Sequence, residues 1–321
     1  MPTATPDPAA TIRAGSKSFA LASRLFDTHT RDLVWDLYAW CRHCDDVTDG
    51  QRLGHGREAV DDRAARVREL RTLTARALQG DVAGPGPFAG LARVVSETDL
   101  PSRYAFDHLA GFELDAAGLH CEHLDDTLRY CYHVAGVVGL MMAWIMGVRD
   151  DDTLRRGCDL GMGFQLTNIA RDVNDDALNE RVYLPAAWLR DVGATIEPGQ
   201  PLDAATRQAI VPLVARLLDE ADRYYASSWY GMARLPWRCA WAVGTARHVY
   251  ADIGVGVRRR RAAAWDARVG TSTVRKVGRL FQALVETGWA VGIDRHRMAP
   301  ARHGLWEPVP EAHAAHARLR S

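Results

Sequence analysis

Two clusters of acidic residues lie within apolar, helix-forming sequence, and they limit the folds that this chain can adopt. In the first cluster, Asp45, Asp46 and Asp49 directly follow the largely apolar stretch "RDLVWDLYAW". Asp45 and Asp49 are four residues apart, so on a helix they share one face, with Cβ atoms about 6 Å apart, and repel each other. A buried carboxylate is costly unless a partner neutralises it. The pattern therefore predicts an inward-facing acid pair that needs a cation.

The second cluster, "GFQLTNIARDVNDDALNERVYLP" from Gly163, repeats this chemistry. Gln165, Asn168, Asp172 and Asp176 are spaced by three, four and four, which places their side chains on one helical stripe. Oxygen ligands suit Mg²⁺ and argue against Zn²⁺, whose sites favour cysteine and histidine. One acidic stripe alone is typical of a solvated helix face. Two such stripes in apolar sequence instead predict facing helices that hold several magnesium ions.

The ligand between such ions is expected to be anionic and rich in oxygen. Mg²⁺ usually binds one or two protein carboxylates and completes its coordination shell with substrate phosphate and water. A diphosphate fits that description. An EF-hand is the rival metal site for "DDVTDG", and it fails because position twelve counted from Asp45 is Gly56 rather than a glutamate.

Cysteine chemistry offers a weaker alternative. Cys41 and Cys44 have the spacing of a redox or zinc pair, but no second pair follows and no βαβ pattern surrounds them. The six cysteines are therefore expected to be reduced, buried thiols.

Long segments with helical periodicity fill most of the 321 residues, and no segment alternates as strands do. Clusters of glycine, proline and aspartate separate them, as in "GDVAGPGPF" and "DVGATIEPGQPLD". We therefore predict a single all-α domain over residues 13–297, with a loose N-terminal segment (1–12) and a flexible tail (298–321). Forty basic and forty acidic residues cancel, so a nucleic-acid partner is not expected. The most apolar stretch, 133–148, is shorter than the roughly 20 residues of a membrane span and is predicted to be a buried core helix.

Five blocks of the sequence resemble the bacterial phytoene synthases of the squalene/phytoene synthase family. The blocks are "GSKSFALASRLF" (15–26), "LYAWCRHCDDVTD" (37–49), "YAFDHLAGFELD" (104–115), "DDTLRYCYHVAGVVGLMMA" (125–143) and "GFQLTNIARDVNDDALNERVYLP" (163–185). The resemblance extends from about Ala14 to "AWDAR" at 264–268 and leaves out the loop "GQRLGHGREAV".

This resemblance implies an isoprenoid-synthase-type helical bundle around a central apolar cavity. It also implies a prenyltransferase that condenses two geranylgeranyl diphosphates head to head, through a cyclopropylcarbinyl diphosphate, to phytoene. Several Mg²⁺ ions, for which Mn²⁺ is an alternative, would be held by five residues, and no NADPH is expected. The implied metal ligands are Asp45, Asp49, Asn168, Asp172 and Asp176, of which the four aspartates are also the expected catalytic residues. The implied substrate contacts are Ser16, Lys17, Ser18, Tyr38, Arg42, Gln165, Arg171 and Tyr250.

The reaction explains the kinds of side chain involved. Breaking an allylic C–O bond leaves a carbocation and a highly charged diphosphate, to which Lys17, Arg42 and Arg171 can donate charge-assisted hydrogen bonds. Aromatic faces stabilise a cation, although each aromatic side chain taken alone is more typical of a protein core, and only nearness in sequence to the acidic motifs favours a role at the site. The aromatic candidates are Phe19, Tyr38, Tyr130 and Phe164. The final cation must lose a proton, for which Tyr130 or the released diphosphate is the candidate base.

Several alternatives stay open at this point. One alternative is squalene or dehydrosqualene synthesis from farnesyl diphosphate, which uses the same ions and the same motif spacing. Another hypothesis is a non-catalytic helical protein that binds prenyl diphosphates. A chain-elongating prenyltransferase is disfavoured, because no arginine-rich segment follows Asp49. Gly136 and Gly139 either leave space for isoprenoid chains or allow close helix packing. We expect a cytoplasmic protein, and leave peripheral membrane contact and the oligomeric state open.

Overall fold

The computed structural model describes residues 7–50 and 62–308, with the side chains of Lys17 and Ser18 outside that description. The predicted all-α class is confirmed, since the described ranges contain thirteen α-helices, one π-helical turn, two 3₁₀ turns and no strand. Most of the loop "GQRLGHGREAV" lies outside them. The α-helices are α1 (Pro8–Gly15), α2 (Lys17–Ser23), α3 (Thr28–Asp49), α4 (Arg63–Leu78), α5 (Pro87–Thr98), α6 (Ser102–Ala116), α7 (Leu124–Cys131), α8 (Val137–Ile145), α9 (Asp151–Leu178), α10 (Ala186–Asp191), α11 (Ala204–Met232), α12 (Trp237–Arg260) and α13 (Thr273–Gly292). The π-helical turn is Tyr132–Gly136, and the 3₁₀ turns are Arg261–Trp265 and Asp294–His296.

Side-chain caps fix where the long helices begin. The carboxylates of Asp27, Asp150 and Asp203 each accept a hydrogen bond from a backbone amide three residues later, at 3.0, 2.9 and 2.7 Å. These bonds satisfy amides that have no partner within the helix. Helix α3 ends at Gly50, whose left-handed φ of 64° costs little without a Cβ.

Helix α9 is the central element of the bundle. It packs against α11, α8, α12 and the π-helical turn, while α3 packs on the other side against α1, α4 and α5. Phe19 of α2 connects α3 to α9, since its ring lies beside Tyr38 of α3 and Phe164 of α9. The space between their polar and aromatic side chains is therefore where the candidate site lies.

The glycines of the apolar stretch lie at a close helix crossing. A Cβ on Gly139 would lie 2.2 Å from the Gly157 carbonyl oxygen, and one on Gly161 would lie 2.2 Å from the Ala135 carbonyl oxygen. A Cβ on Gly136 would lie 2.9 Å from a sulfur atom of α9. The close-packing interpretation of these glycines is therefore correct. The alternative of an open cavity wall beside them is wrong, because α9 fills that space.

Helix α7, the π-helical turn and α8 form one continuous helical segment, Leu124–Ile145, which is longer than the apolar stretch suggested. Among the described residues, this 22-residue segment alone is long and apolar enough to cross a membrane, and 56% of its most apolar 18-residue window is buried within the protein. Val137 and Met141 are completely enclosed, as predicted for a core helix. The expectation of reduced thiols is confirmed too, since all six cysteines are free and only Cys41 is partly exposed.

The segments predicted to be loose at either end contain packed residues. Ile12 of α1 is buried. Arg302 is only 8% exposed and pairs at 2.6 Å with Asp159 of α9, which is 1% exposed. The Pro300 carbonyl accepts a hydrogen bond from Arg156 at 2.8 Å. Packed structure therefore continues past residue 297, whereas residues 1–6 and 309–321 lie outside the described ranges.

Candidate active site

The two acidic clusters lie at the carboxyl ends of their helices. Asp45 and Asp49 occupy the last turns of α3, and Asp172 and Asp176 those of α9. The helix dipole places partial negative charge at this end, which adds to the repulsion among the carboxylates. Both helices therefore concentrate negative charge where only cations can stabilise it.

Arginines supply that positive charge on α3. Arg42 donates a hydrogen bond to the Asp45 carboxylate and lies 3.8 Å from an Asp46 oxygen. Arg181, just beyond α9, forms a two-pronged pair with Asp49, with one N–H···O distance of 3.0 Å. Burial raises the pKa of Asp45 to about 6; Arg42 opposes the rise and the nearby Asp49 carboxylate adds to it.

Arginines also hold the acids of α9. Arg171 donates to both oxygens of Asp172, at 2.7 Å from Nε. Arg268, which follows α12, donates to the same two oxygens at 3.2 and 3.1 Å. Burial, with a further contribution from Asp172, raises the pKa of Asp176 well above its usual range.

Arg181 brings the two clusters into one electrostatic system. Besides binding Asp49, its charge partly offsets the raised pKa values of Asp45 on α3 and Asp176 on α9. The guanidinium also lies 3.6 Å from Asp115 of α6 and is itself only 18% exposed. Arg181 thus lies between the two clusters, because its side chain binds Asp49 of α3 and its backbone amide donates to the Asp176 carbonyl of α9 at 2.9 Å.

Tyr130 lies behind this arginine. Its hydroxyl donates to Asp115 at 3.1 Å and lies 2.8 Å from the Tyr183 hydroxyl, and the two phenol rings stack with centroids 4.4 Å apart. Burial raises the pKa of Tyr130 well above its usual range and also raises that of Asp115. Tyr130 therefore belongs to a buried polar network that reaches Asp49 through Arg181.

The other aromatic candidates form a separate group. The Phe19 ring lies 6.3 Å from Tyr38, 5.7 Å from Phe164 and 5.5 Å from Tyr250, measured between centroids. Phe164 and Tyr250 are 4.2 Å apart. The Ser16 hydroxyl caps α2 by accepting from the Phe19 amide at 3.3 Å, which positions this ring between α3 and α9. The side chains of Lys17 and Ser18 lie outside the description.

The donor set fits magnesium. The Asn168 side chain donates to the Gln165 oxygen at 3.3 Å, but its own carbonyl oxygen Oδ1 is buried and accepts no hydrogen bond. A buried acceptor without a partner costs free energy that a metal ion would recover. Within residues 7–50 and 62–308, no three Asp, Glu, His or Cys side chains are close enough to hold an ion by themselves.

Four polar residues of this site escaped the sequence analysis: Arg181, Asp115, Tyr183 and Arg268. Asp115, Arg181 and Tyr183 lie inside blocks that carry the family resemblance, and Arg268 is the last residue of the range over which it extends, so the resemblance was the available signal. Their contacts span many residues of sequence, so periodicity alone gives no indication of them.

Comparison with known proteins assigns the family. The profile of the squalene/phytoene synthase family matches residues 12–275. The chain belongs to this family. A phytoene synthase from Pseudescherichia vulneris is 48% identical over 92% of this chain and 95% of its own length. A 15-cis-phytoene synthase from Pantoea ananas is 49% identical over 92% of this chain and 95% of its own length.

Solved structures confirm the isoprenoid-synthase-type fold of this squalene/phytoene synthase family member. A dehydrosqualene synthase in complex with a ligand superposes with a TM-score of 0.74 at 28% identity, covering 86% of this chain and 93% of that one. Squalene synthase HpnC from Alicyclobacillus acidocaldarius gives a TM-score of 0.67 at 23% identity, covering 79% and 92%. That second likeness concerns the fold alone.

Proposed function

We propose that the protein condenses two geranylgeranyl diphosphates head to head, through a cyclopropylcarbinyl diphosphate, to phytoene. The observation that carries the chemistry is the pair of acidic helix ends that Arg181 links beside a group of aromatic rings. The choice of phytoene rests on identities of 48–49% to proteins named phytoene synthase, against 28% to the dehydrosqualene synthase.

Asp45, Asp49, Asn168, Asp172 and Asp176 are the proposed magnesium ligands. Bound Mg²⁺ supplies charge stabilisation to the diphosphate leaving group. The unpartnered Asn168 oxygen supports its inclusion. The raised pKa of Asp176 supports a cationic ligand there, because burial destabilises its charged form.

The arginines have a second role in this proposal. Arg42 and Arg171 are largely buried and each pairs with a proposed metal ligand. A carboxylate that coordinates a metal no longer needs its guanidinium. Arg42 and Arg171 are then free to donate charge-assisted hydrogen bonds to diphosphate oxygens. Lys17 stays a prediction for the same role.

The aromatic group would stabilise and shield the cation. The ring centroids of Phe19, Phe164 and Tyr250 lie within 6 Å of one another, and cation–π attraction is strongest where water is excluded. Water would trap the cation as an alcohol, so enclosure of this region is part of the proposed mechanism.

Tyr130 can act as the final base only with help. Its raised pKa favours the protonated phenol, so it can accept a proton from the cation only while passing its own proton to Asp115. The raised pKa of Asp115 makes that carboxylate a suitable acceptor. The released diphosphate is the other candidate base.

The test is incubation of purified protein with geranylgeranyl or farnesyl diphosphate, with Mg²⁺ or Mn²⁺, in the presence and absence of NADPH. Phytoene from geranylgeranyl diphosphate without reductant is the expected product, and Asp45→Asn protein is the control for metal-dependent ionisation. A hydrocarbon formed only from farnesyl diphosphate, or only with NADPH, would overturn the phytoene assignment. Absence of any hydrocarbon would favour the non-catalytic alternative.

A further inference from the structure

Helix α13 covers α12 with a small, well-packed inner face. Ala283, Thr287 and Ala290 of this inner face are buried. The Leu280 carbonyl accepts a hydrogen bond from the Trp241 indole at 2.9 Å. These contacts fix which side of α13 faces outward.

The outward side of α13 is apolar and exposed. We call Val274, Val277, Phe281, Val285 and Trp289 the α13 stripe; they are spaced by three, four, four and four residues. Their exposed fractions are 83%, 45%, 62%, 76% and 56%. At 1.5 Å per residue the stripe is about 22 Å long. Isolated exposed apolar residues are ordinary, but a contiguous row along one helix indicates an interaction surface.

The charges around the α13 stripe have one sign. Arg275 at its start and Arg295 beyond its end are exposed. The one acid of α13, Glu286, is turned inward, where it accepts one hydrogen bond from Gln282 at 2.7 Å and lies 2.6 Å from a His248 ring nitrogen. In the described part of the chain, the outer face of α13 therefore presents apolar side chains between basic ends and no carboxylate.

We propose that the α13 stripe docks this protein on the surface of an anionic phospholipid bilayer. An amphipathic helix with aromatic and aliphatic residues on one face and arginines around it lies in the membrane interface, and negative headgroups attract its cations. Trp237, which is 42% exposed, lies 3.9 Å from where a Cβ on Gly288 would be and adds a second indole beside Trp289. Indole rings favour the boundary between apolar and wet layers.

A second copy of the chain fits this surface less well. Antiparallel pairing of two α13 stripes would place Arg275 of one copy near Arg295 of the other, and parallel pairing would place each arginine against its own counterpart. Both arrangements bring like charges together, whereas a negatively charged bilayer is complementary. One helix face is also small beside the roughly 800 Å² per partner that a stable dimer buries.

The role that we give to membrane docking rests on the proposed function, whereas the docking itself rests only on the α13 stripe and the arginines beside it. Geranylgeranyl chains and phytoene are lipidic, so a docked enzyme would exchange them with the bilayer. Helix α13 begins five residues after Arg268, whose guanidinium holds Asp172 of the candidate site. A short connection therefore joins the proposed membrane face to the site.

The test is co-sedimentation of the full chain with phosphatidylcholine vesicles that contain or lack phosphatidylserine. Wild type should bind the anionic vesicles, less at high salt, and should bind neutral vesicles more weakly. Phe281→Asp and Val285→Asp should each weaken binding at least about tenfold, because each removes a large apolar contact and adds a repelled charge. Thr72→Asp adds the same charge at an exposed position of α4 and should bind as wild type does.

Circular dichroism and melting curves identify any variant that fails to fold, and Val285→Ser then gives a milder change with a smaller expected loss. Wild type that binds neither vesicle, or stripe variants that bind as tightly as wild type, would overturn the proposal. A dimer in light scattering that Val285→Asp dissociates, without vesicle binding, would assign the face to a second copy. Turnover in detergent should be equal for wild type and Val285→Asp. A protein that binds vesicles but makes no hydrocarbon would refute only the proposed function.

Discussion

Replacement of Arg181 by methionine should expose how much of the stability of the metal-free site depends on one guanidinium. Arg181 is 18% exposed, and its partners Asp49 and Asp115 are 13% and 7% exposed. Methionine preserves much of the apolar packing of the arginine stem. The change therefore mainly removes the charge and its hydrogen bonds, and it leaves two enclosed carboxylates without their cation.

Breaking such a buried pair by removing one partner costs about 3–5 kcal/mol. Globular proteins gain roughly 2.1 cal/mol/K of unfolding entropy per residue near 60 °C, so for a chain of this length the melting temperature should fall by about 4–7 °C at about pH 7.5. This decrease in melting temperature should become smaller at lower pH. Burial raises the pKa of Asp45 to about 6, and it also raises the pKa of Asp115, so as the pH falls these carboxyls take up protons earlier than ordinary aspartates do. A neutral carboxyl no longer needs the guanidinium.

Scanning calorimetry of both proteins in chelator, across a series of pH values, measures this effect. The matched control is Arg190→Met, since Arg190 pairs with Glu122 on the surface with 64% of its side chain exposed. Exposed pairs contribute little, so this variant should melt as wild type does. Equal losses for Arg181→Met and Arg190→Met, or a loss for Arg181→Met that does not change with pH, would refute the account of Arg181 as the shared counter-charge.

Three further outcomes are expected. Asp45→Asn and Asp172→Asn should each lower kcat/KM more than tenfold, a loss above ~1.4 kcal/mol in product assays. A variant that keeps more than a tenth of the wild-type kcat/KM would show that its aspartate is not an essential ligand. Without metal, Asp45→Asn should melt no lower than wild type, because the substitution removes one charge from a crowded group of acids. In calorimetry, the affinity for a non-reactive diphosphate analogue with Mg²⁺ should weaken as the pH falls through about 6, since Asp45 must be deprotonated to coordinate the ion. An affinity that does not vary with pH would contradict this expectation. Gly161→Ala should destabilise the fold by ~1–3 kcal/mol because its Cβ would lie 2.2 Å from a carbonyl oxygen. Gly278→Ala, with nothing within 4 Å, should be neutral or stabilising in the same denaturation assay, and similar losses in both would argue against the close crossing.

The acidic stripes were predictable from the sequence because helical periodicity is a local property. Spacings of three and four residues fix which side chains share a face, whatever the rest of the chain does. The counter-charges were not predictable in this way. Arg181 meets Asp49 across 132 residues of sequence, and only the packing of α9 against its neighbours brings them together.

The aromatic candidates show the same limit. Phe19, Tyr38 and Phe164 were selected for their nearness in sequence to acidic motifs, and the fold places them in one group. Tyr130 met the same criterion, yet its ring stacks on Tyr183 instead, because α7 approaches the loop that follows α9. Nearness along the chain does not determine on which side of a helix pair a ring will lie.

The buried pair between Asp159 and Arg302 has a consequence for the timing of folding during synthesis. The two residues are separated by 143 positions, so at 5–20 residues per second the ribosome adds Arg302 roughly 7–30 s after Asp159. Throughout that interval Arg302 is not yet present to neutralise Asp159 in the middle of α9. Burial of the Asp159 carboxylate is unfavourable until then. Final consolidation of the central helix is therefore expected to follow the arrival of residues 300–307. A nascent chain stalled shortly before Arg302 should stay sensitive to protease around α9, and one that displays this arginine should become resistant.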